Sequence, residues 1–284
     1  SWDGHTLPLI PSTAKLLKLL KVPVVVCLLK GAYSSLPRWA WNSRRGEMEV
    51  EFKLLMTGSQ AKASSAEEIL SALENALEYD EAEWLAGRTP CYRSGRMARH
   101  LELSLFMCPS CSAVGSMRSF RNRFFCQRCG FVTRLGTDYR FRPVGKREPP
   151  FPTIRAWDAW QAEAFKAYVL DGQQAATSPL IADSGVMLFR GRKMNPLRKI
   201  RTGTLSLYGD RVELNTLTGM KKTFPLDEIE GEGVLKHQLL EFYHGKGLYQ
   251  FRFPLRCQSA RKWLLAIQRL KASGPSPDTT GAGA

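Results

Sequence analysis

Four of the seven cysteines stand in two pairs, Cys108-Pro109-Ser110-Cys111 and Cys126-Gln127-Arg128-Cys129, with 14 residues between them. A Cys-x-x-Cys turn directs two sulfurs at one centre, so two such turns supply the four ligands of a closed tetrahedral metal site. Gly130, directly after the second pair, supplies the left-handed backbone that ends such a knuckle. The spacing predicts a rubredoxin-like zinc ribbon with its metal on Cys108, Cys111, Cys126 and Cys129. Iron accepts the same ligands, and disulfides are the remaining alternative, disfavoured in a reducing compartment. Four thiolates leave no coordination position for water, so the metal is expected to be structural. Cys27, inside an apolar run, is expected in the core; Cys91 and Cys257 carry no assignment.

Between the pairs runs Met117-Arg118-Ser119-Phe120-Arg121-Asn122-Arg123-Phe124-Phe125. A hairpin turning near Arg121-Asn122 presents Arg118, Arg121 and Arg123 around its tip as candidate phosphate contacts. Interleaved arginine and phenylalanine also suits single-stranded nucleic acid, whose bases stack on rings. A domain this small needs its rings as core, however, and core is the favoured role for the phenylalanines.

The net charge of +15 is uneven: residues 1–86 sum to −2, residues 87–150 to +10 and residues 151–284 to +7. Two-thirds of the excess in one cysteine-bearing segment points to a polyanionic partner, either the anionic face of a bilayer or nucleic acid. A solvated basic surface serving only solubility is the plain alternative. The longest apolar run, Val22 to Leu29, is far short of the roughly 18 residues a membrane span needs.

The rest reads as an α+β multidomain chain. Residues 1–86 have α/β character. A helix from Ser12 sets Leu16, Leu17, Leu19 and Leu20 against Lys15, Lys18 and Lys21. Val22 to Leu29 reads as a central strand apolar on both faces, and Met48, Val50 and Phe52 alternate with charges as an outer strand. Ala66 to Leu85 reads as one amphipathic helix capped by Ser64 or Ser65. Residues 87–142 hold the basic ribbon. Residues 143–178 form a proline-rich linker followed by a helix opened by Thr153-Ile154-Arg155-Ala156-Trp157-Asp158-Ala159-Trp160-Gln161. Residues 179–272 read as seven short strands punctuated by Gly209-Asp210, Thr218-Gly219 and His244-Gly245-Lys246-Gly247, closed by a helix carrying Trp263, Leu264, Ile267 and Leu270. That order resembles a small PH/GRAM-like β-barrel with a C-terminal helix. Residues 273–284 read as a disordered tail.

Ser1-Trp2-Asp3-Gly4, then Pro8, the lysine-spaced helix, and Val22-Pro23-Val24-Val25-Val26 running to Gly31 resemble the second half of a 1-acyl-sn-glycerol-3-phosphate (lysophosphatidic acid) acyltransferase domain. The Thr153–Gln161 block resembles the segment after the zinc knuckles in long bacterial members of that family. The resemblance implies a partial α/β acyltransferase domain in which Ser1, Trp2, Asp3 and Gly4 edge the acceptor phosphate pocket and Pro23 and Gly31 shape it. It also implies acyl-CoA or acyl carrier protein as donor and a lysophospholipid as acceptor, at the cytoplasmic, inner face of the cell membrane. The family's chemistry uses a His-x4-Asp pair, a general base with an orienting carboxylate, and a Pro-Glu-Gly block. Five positions after His5, His100, His237 and His244 stand Ile10, Leu105, Phe242 and Tyr249, and Pro-Glu-Gly is absent. No catalytic residue is assigned, and the chain is expected to be the C-terminal portion of such an enzyme, inactive alone. The competing expectation is a nucleic-acid-binding protein built on the basic ribbon.

Overall fold

The computed structural model of the chain describes residues 1–86, 88, 92–173, 178–192 and 195–273. Cys91 and the tail expected at 274–284 lie outside these residues. The described part is a mixed α+β structure with sheets of two, four and seven strands. It divides into two compact units, one of residues 1–99, 120–124 and 132–157, the other of residues 100–119, 125–131 and 158 onward.

The first unit opens with α1 (Ser12–Leu20), β1 (Val24–Lys30), α2 (Ala32–Ser35), β2 (Glu49–Met56), α3 (Gly58–Ala63), α4 (Ala66–Leu77) and α5 (Glu81–Ala86). Both α3 and α4 start in capping boxes, Thr57 with Gln60 and Ser65 with Glu68, in which each partner satisfies the other's amide. β1 and β2 form an antiparallel ribbon, and a core of Ala14, Val24, Val26, Met56, Ala61, Ile69 and Leu73 covers one of its faces.

Three expectations need correction here. The strand at 22–29 is not covered on both sides: Val25 and Leu29 are exposed, and so is Cys27. Its only strand partner among the described residues is β2. The α1 leucines do not turn inward together, since Ala14 is the buried position and Leu16, Leu19 and Leu20 lie open to solvent. The helix expected over 66–85 breaks after Leu77. Thr6 Oγ1 donates to the Leu77 carbonyl at 2.7 Å, and the Thr6 amide donates to Tyr79 O at 3.1 Å. The N-terminal segment thus satisfies carbonyls that continued helix would have used. Asp80 then starts α5 by accepting the Ala82 amide at 2.8 Å.

A four-stranded sheet runs in the order β3 (Met117–Phe120), β4 (Arg123–Cys126), β5 (Val132–Leu135) and β6 (Phe141–Pro143). Its first turn falls at Arg121-Asn122, with Arg121 at φ 53°. Phe124 is fully buried against Phe141 and Trp157, so this ring is core. Phe120 is 64% exposed. The stretch 143–152 folds back on β6, where the Phe141 amide donates to Pro152 O at 2.9 Å. Thr153 caps α6 (Ile154–Gly172) by accepting the Ala156 amide at 3.1 Å.

The second unit is dominated by β7 (Ile181–Gly191), β8 (Arg198–Leu207), β9 (Arg211–Asn215), β10 (Lys221–Pro225), β11 (Ile229–Leu235), β12 (Leu239–His244) and β13 (Gly247–Arg252), followed by α7 (Ala260–Ser273). The strand order is β10-β9-β8-β7-β13-β12-β11, two antiparallel meanders joined where the first strand meets the last. β7 begins earlier than the sequence pattern implied. Gly185, at φ 74°, sits in a bulge that interrupts the alternation but not the pairing. The interior is aromatic: Phe224 lies 5.3 Å from Phe242 and 4.9 Å from Tyr249, with Phe251 alongside. α7 buries Trp263, Ile267 and Leu270 as expected, whereas Leu264 is only half-buried and Ala266 lies inward beside them.

Candidate metal centre

The two Cys-x-x-Cys segments take the same local path. Cys108 O accepts the amide of Ser112 at 2.9 Å, and Cys126 O accepts that of Gly130 at 3.1 Å. Ser112 and Gly130 both occupy the left-handed region, at φ 54° and 72°. Each first cysteine then donates its own amide across the turn, Cys108 to Ala113 O and Cys126 to Phe131 O, at 3.1 and 2.8 Å. Each first sulfur also accepts an amide two residues on: Ser110 to Cys108 at 3.4 Å and Arg128 to Cys126 at 3.3 Å.

These turns bring all four sulfurs within 4.8 Å of one another. Cys108 Sγ and Cys129 Sγ are 3.6 Å apart, and Cys111 Sγ and Cys126 Sγ are 3.8 Å apart. Sulfurs at the corners of a tetrahedron with metal–sulfur bonds of about 2.3 Å stand about 3.8 Å apart. A disulfide needs about 2.05 Å. The quartet therefore has the dimensions of a metal site, and its all-sulfur donor set suits a thiophilic ion. Burial pushes the Cys108 and Cys111 thiols up. At Cys126 burial acts in the same direction, but the Ser116 hydroxyl at 3.2 Å and the amides of Cys129 and Arg128 outweigh it and bring the thiol down to about 6. A bound cation would complete the deprotonation of the rest.

The surroundings of the first knuckle hold side chains that cysteine spacing alone does not announce. Gln161 Oε1 accepts the amides of Phe106 and Met107 at 2.8 and 2.9 Å, while its Nε2 donates to Ser104 O and Asp158. Asp158 in turn takes a bidentate pair from Arg261 at 2.6 and 2.8 Å. Ser259 Oγ donates to Leu103 O at 2.7 Å, and Lys262 pairs with Asp183, which also accepts the Trp263 indole. Phe106 meets Phe165 edge to face at 4.9 Å. The signal for this network was present in the Trp-Asp-x-Trp-Gln block, whose Asp and Gln are the two polar residues that α6 buries here.

The other predicted residues fall as follows. Arg118 donates to Gly115 O and Met117 O at 2.8 and 2.7 Å, which ties its guanidinium to nearby backbone. Arg121 and Arg123 are exposed, Arg121 with its guanidinium near the Phe120 ring. Ser1 Oγ accepts the Gly4 amide, and Asp3 Oδ1 accepts the His5 amide. Trp2 is buried under the Arg38 guanidinium, and its carbonyl accepts the Tyr33 hydroxyl. Gly4 has φ 93°, and a Cβ there would meet Glu81 Cβ at 2.9 Å. At Gly31, φ 79°, a Cβ would strike Glu47 O at 2.4 Å. Among the described residues no helix is long and apolar enough to cross a membrane.

No protein-family model matches the chain, and no curated protein matches it. Among solved structures, a chain of "The 8S snRNP Assembly Intermediate" aligns at 10% identity over 38% of this chain and 91% of its own, with a TM-score of 0.28. The solution structure of the N-terminal PH domain of ARAP2 protein from human aligns at 16% identity over 36% and 90%, with a TM-score of 0.25. Likenesses at this level carry no argument about what the chain does.

Proposed function

We propose that the chain is the acceptor-side and ribbon-bearing portion of a membrane-associated glycerolipid acyltransferase, one that moves an acyl group from an acyl thioester to 1-acylglycerol-3-phosphate. Its four-cysteine site holds structural zinc, and its seven-stranded region is a PH/GRAM-like module. The observation that carries this reading is the run from Ser1 to Gly31. Its two glycines stand where no side chain fits, at left-handed φ and against Glu81 and Glu47. The motif order is therefore matched by a backbone requirement at both ends of the run. The strand order of the second unit, two meanders closed by α7, supports the PH/GRAM-like assignment.

The reading requires a His-x4-Asp pair and a phosphate-holding Pro-Glu-Gly segment from outside this sequence. The reading frame upstream of the Ser1 codon is expected to encode both. The extended protein should acylate lysophosphatidic acid, whereas the 284-residue chain should not. An upstream frame without those motifs, or turnover by the present chain alone, refutes the proposal.

The arginines of the basic segment supply the membrane contact. Each cation near an anionic bilayer contributes on the order of 1 kcal/mol, screened over about 8 Å at physiological ionic strength. Arg121 and Arg123, both exposed, serve this best. Co-sedimentation should show salt-sensitive binding to anionic vesicles and little to neutral ones. Tight, salt-resistant binding of RNA or DNA in a parallel gel shift, with no vesicle binding, would favour the nucleic-acid reading.

A further inference from the structure

The outer face of the β1–β2 ribbon is built from three cross-strand pairs: Val25 with Leu54, Cys27 with Phe52, and Leu29 with Val50. All six side chains are exposed, Phe52 most of all at 72%. No charge interrupts this face, and among the described residues no strand lies on the far edge of β2. An apolar face beside an open edge is a template for another strand. A lipid surface could cover the face, but it cannot satisfy a row of backbone amides and carbonyls. A partner for the edge is therefore polypeptide.

The sequence of β2 says which polypeptide. Its alternation sets Val50, Phe52 and Leu54 on the apolar face and Glu51 and Lys53 on the other. Laid antiparallel on itself with Phe52 at the two-fold axis, the strand pairs Val50 with Leu54 and Glu51 with Lys53, each twice. Centred on Lys53 the strand sets Lys53 against itself; centred on Glu51 it sets Glu51 against itself beside two Glu49–Lys53 pairs, so only the Phe52 register opposes no like charges. Lys53 is exposed and, among the described residues, has no acidic partner in its own chain. Glu51 is held by Lys30 at 2.6 Å and remains 46% exposed, open to a second cation. All three of these registers stack apolar on apolar, and the charges select the one centred on Phe52.

We propose that β2 pairs antiparallel with β2 of a second copy of this chain, centred on Phe52, to give a four-stranded sheet in the order β1-β2-β2-β1. The inference concerns the 284-residue chain and does not depend on the metal. Such a contact is isologous, so Glu51 of each copy meets Lys53 of the other.

Sedimentation equilibrium of the full chain over a concentration series tests this. The parent chain should be dimeric in the micromolar range, and Lys53→Glu and Glu51→Lys should each weaken association by about tenfold or more. A one-to-one mixture of the two variants should associate again. Positions 51 and 53 are then both acidic in one variant and both basic in the other, so every facing pair is of opposite sign. Lys53→Glu keeps the Lys30–Glu51 pair, and far-UV circular dichroism verifies that each variant is folded. A parent chain that stays monomeric throughout overturns the proposal. So does a dimer indifferent to both charge reversals, which would place the contact on the apolar face, or a mixture that fails to reassociate.

Discussion

Removing the metal, or replacing Cys108 with Ser, is expected to unfold the knuckle segment and to lower the melting temperature of the second unit more than any single apolar substitution does. Apparent binding energies of structural zinc, about 10–16 kcal/mol in small metal domains, rival the whole stability of a typical domain, about 5–15 kcal/mol. Cys108 is fully buried, but Cys129 is exposed and residues 127–130 lie at the surface. Without the cation, the Cys108 and Cys111 thiols stay protonated, and no ligand bonds hold the four sulfurs within 4.8 Å of one another. Elemental analysis should give one zinc per chain, lost in Cys108→Ser. Hydrogen exchange should then show the amides of Phe106 and Met107 opening, since their acceptor Gln161 binds a path that the knuckle fixes. Unchanged melting after exhaustive chelation would show that the quartet is not a stabilising metal site.

Asp158→Ala should cost about 3 kcal/mol of stability, because it takes the carboxylate from a largely buried guanidinium and leaves it only its contacts to Ser104 and other neutral groups. The side chains of Asp158 and Arg261 are 11% and 12% exposed, and both oxygens of the carboxylate are engaged. The same substitution removes a partner of Gln161 Nε2. Urea unfolding of Asp158→Ala, Arg261→Met and the double variant separates the pair from its surroundings. The double variant should lose less than Asp158→Ala alone, since no guanidinium remains without its carboxylate. Additive losses would mean that the two side chains are not coupled.

The metal quartet was legible in the sequence because its determinants are local: a Cys-x-x-Cys turn forms a knuckle wherever it stands. The strands of residues 179–272 were legible for a similar reason, with Gly209, Gly219 and Gly245 marking turns between them. What escaped was decided at long range. Leu16, Leu19 and Leu20 have the composition of a buried stripe, yet the face of α1 that meets α4 is the one bearing Ala14 and Leu17. The run at 22–29 has the composition of a central strand, but helices cover only one side. The end of α4 is dictated by Thr6, 71 residues away from the carbonyl it binds. Gln161, Asp158 and Arg261 could be quoted from the sequence but not paired, because their partners lie up to 157 positions apart.

The seam between β7 and β13 sets a schedule for synthesis as well as a strand order. Leu188 pairs with Phe251 and Gly191 with Leu248, so the first meander cannot be joined to the second until the last strand has been made. At translation rates of about 5–20 residues per second, several seconds separate β7 from its final neighbour. Throughout that interval one edge of β7 has no partner, and β11 and β12, once made, have no sheet to extend. Closing such a distant pair also makes folding slow relative to a local hairpin. A nascent chain stopped anywhere before Arg252 is therefore not a smaller version of this unit. Once β11 and β12 have been made it is a pair of open half-sheets, each competent to pair with a neighbouring polypeptide.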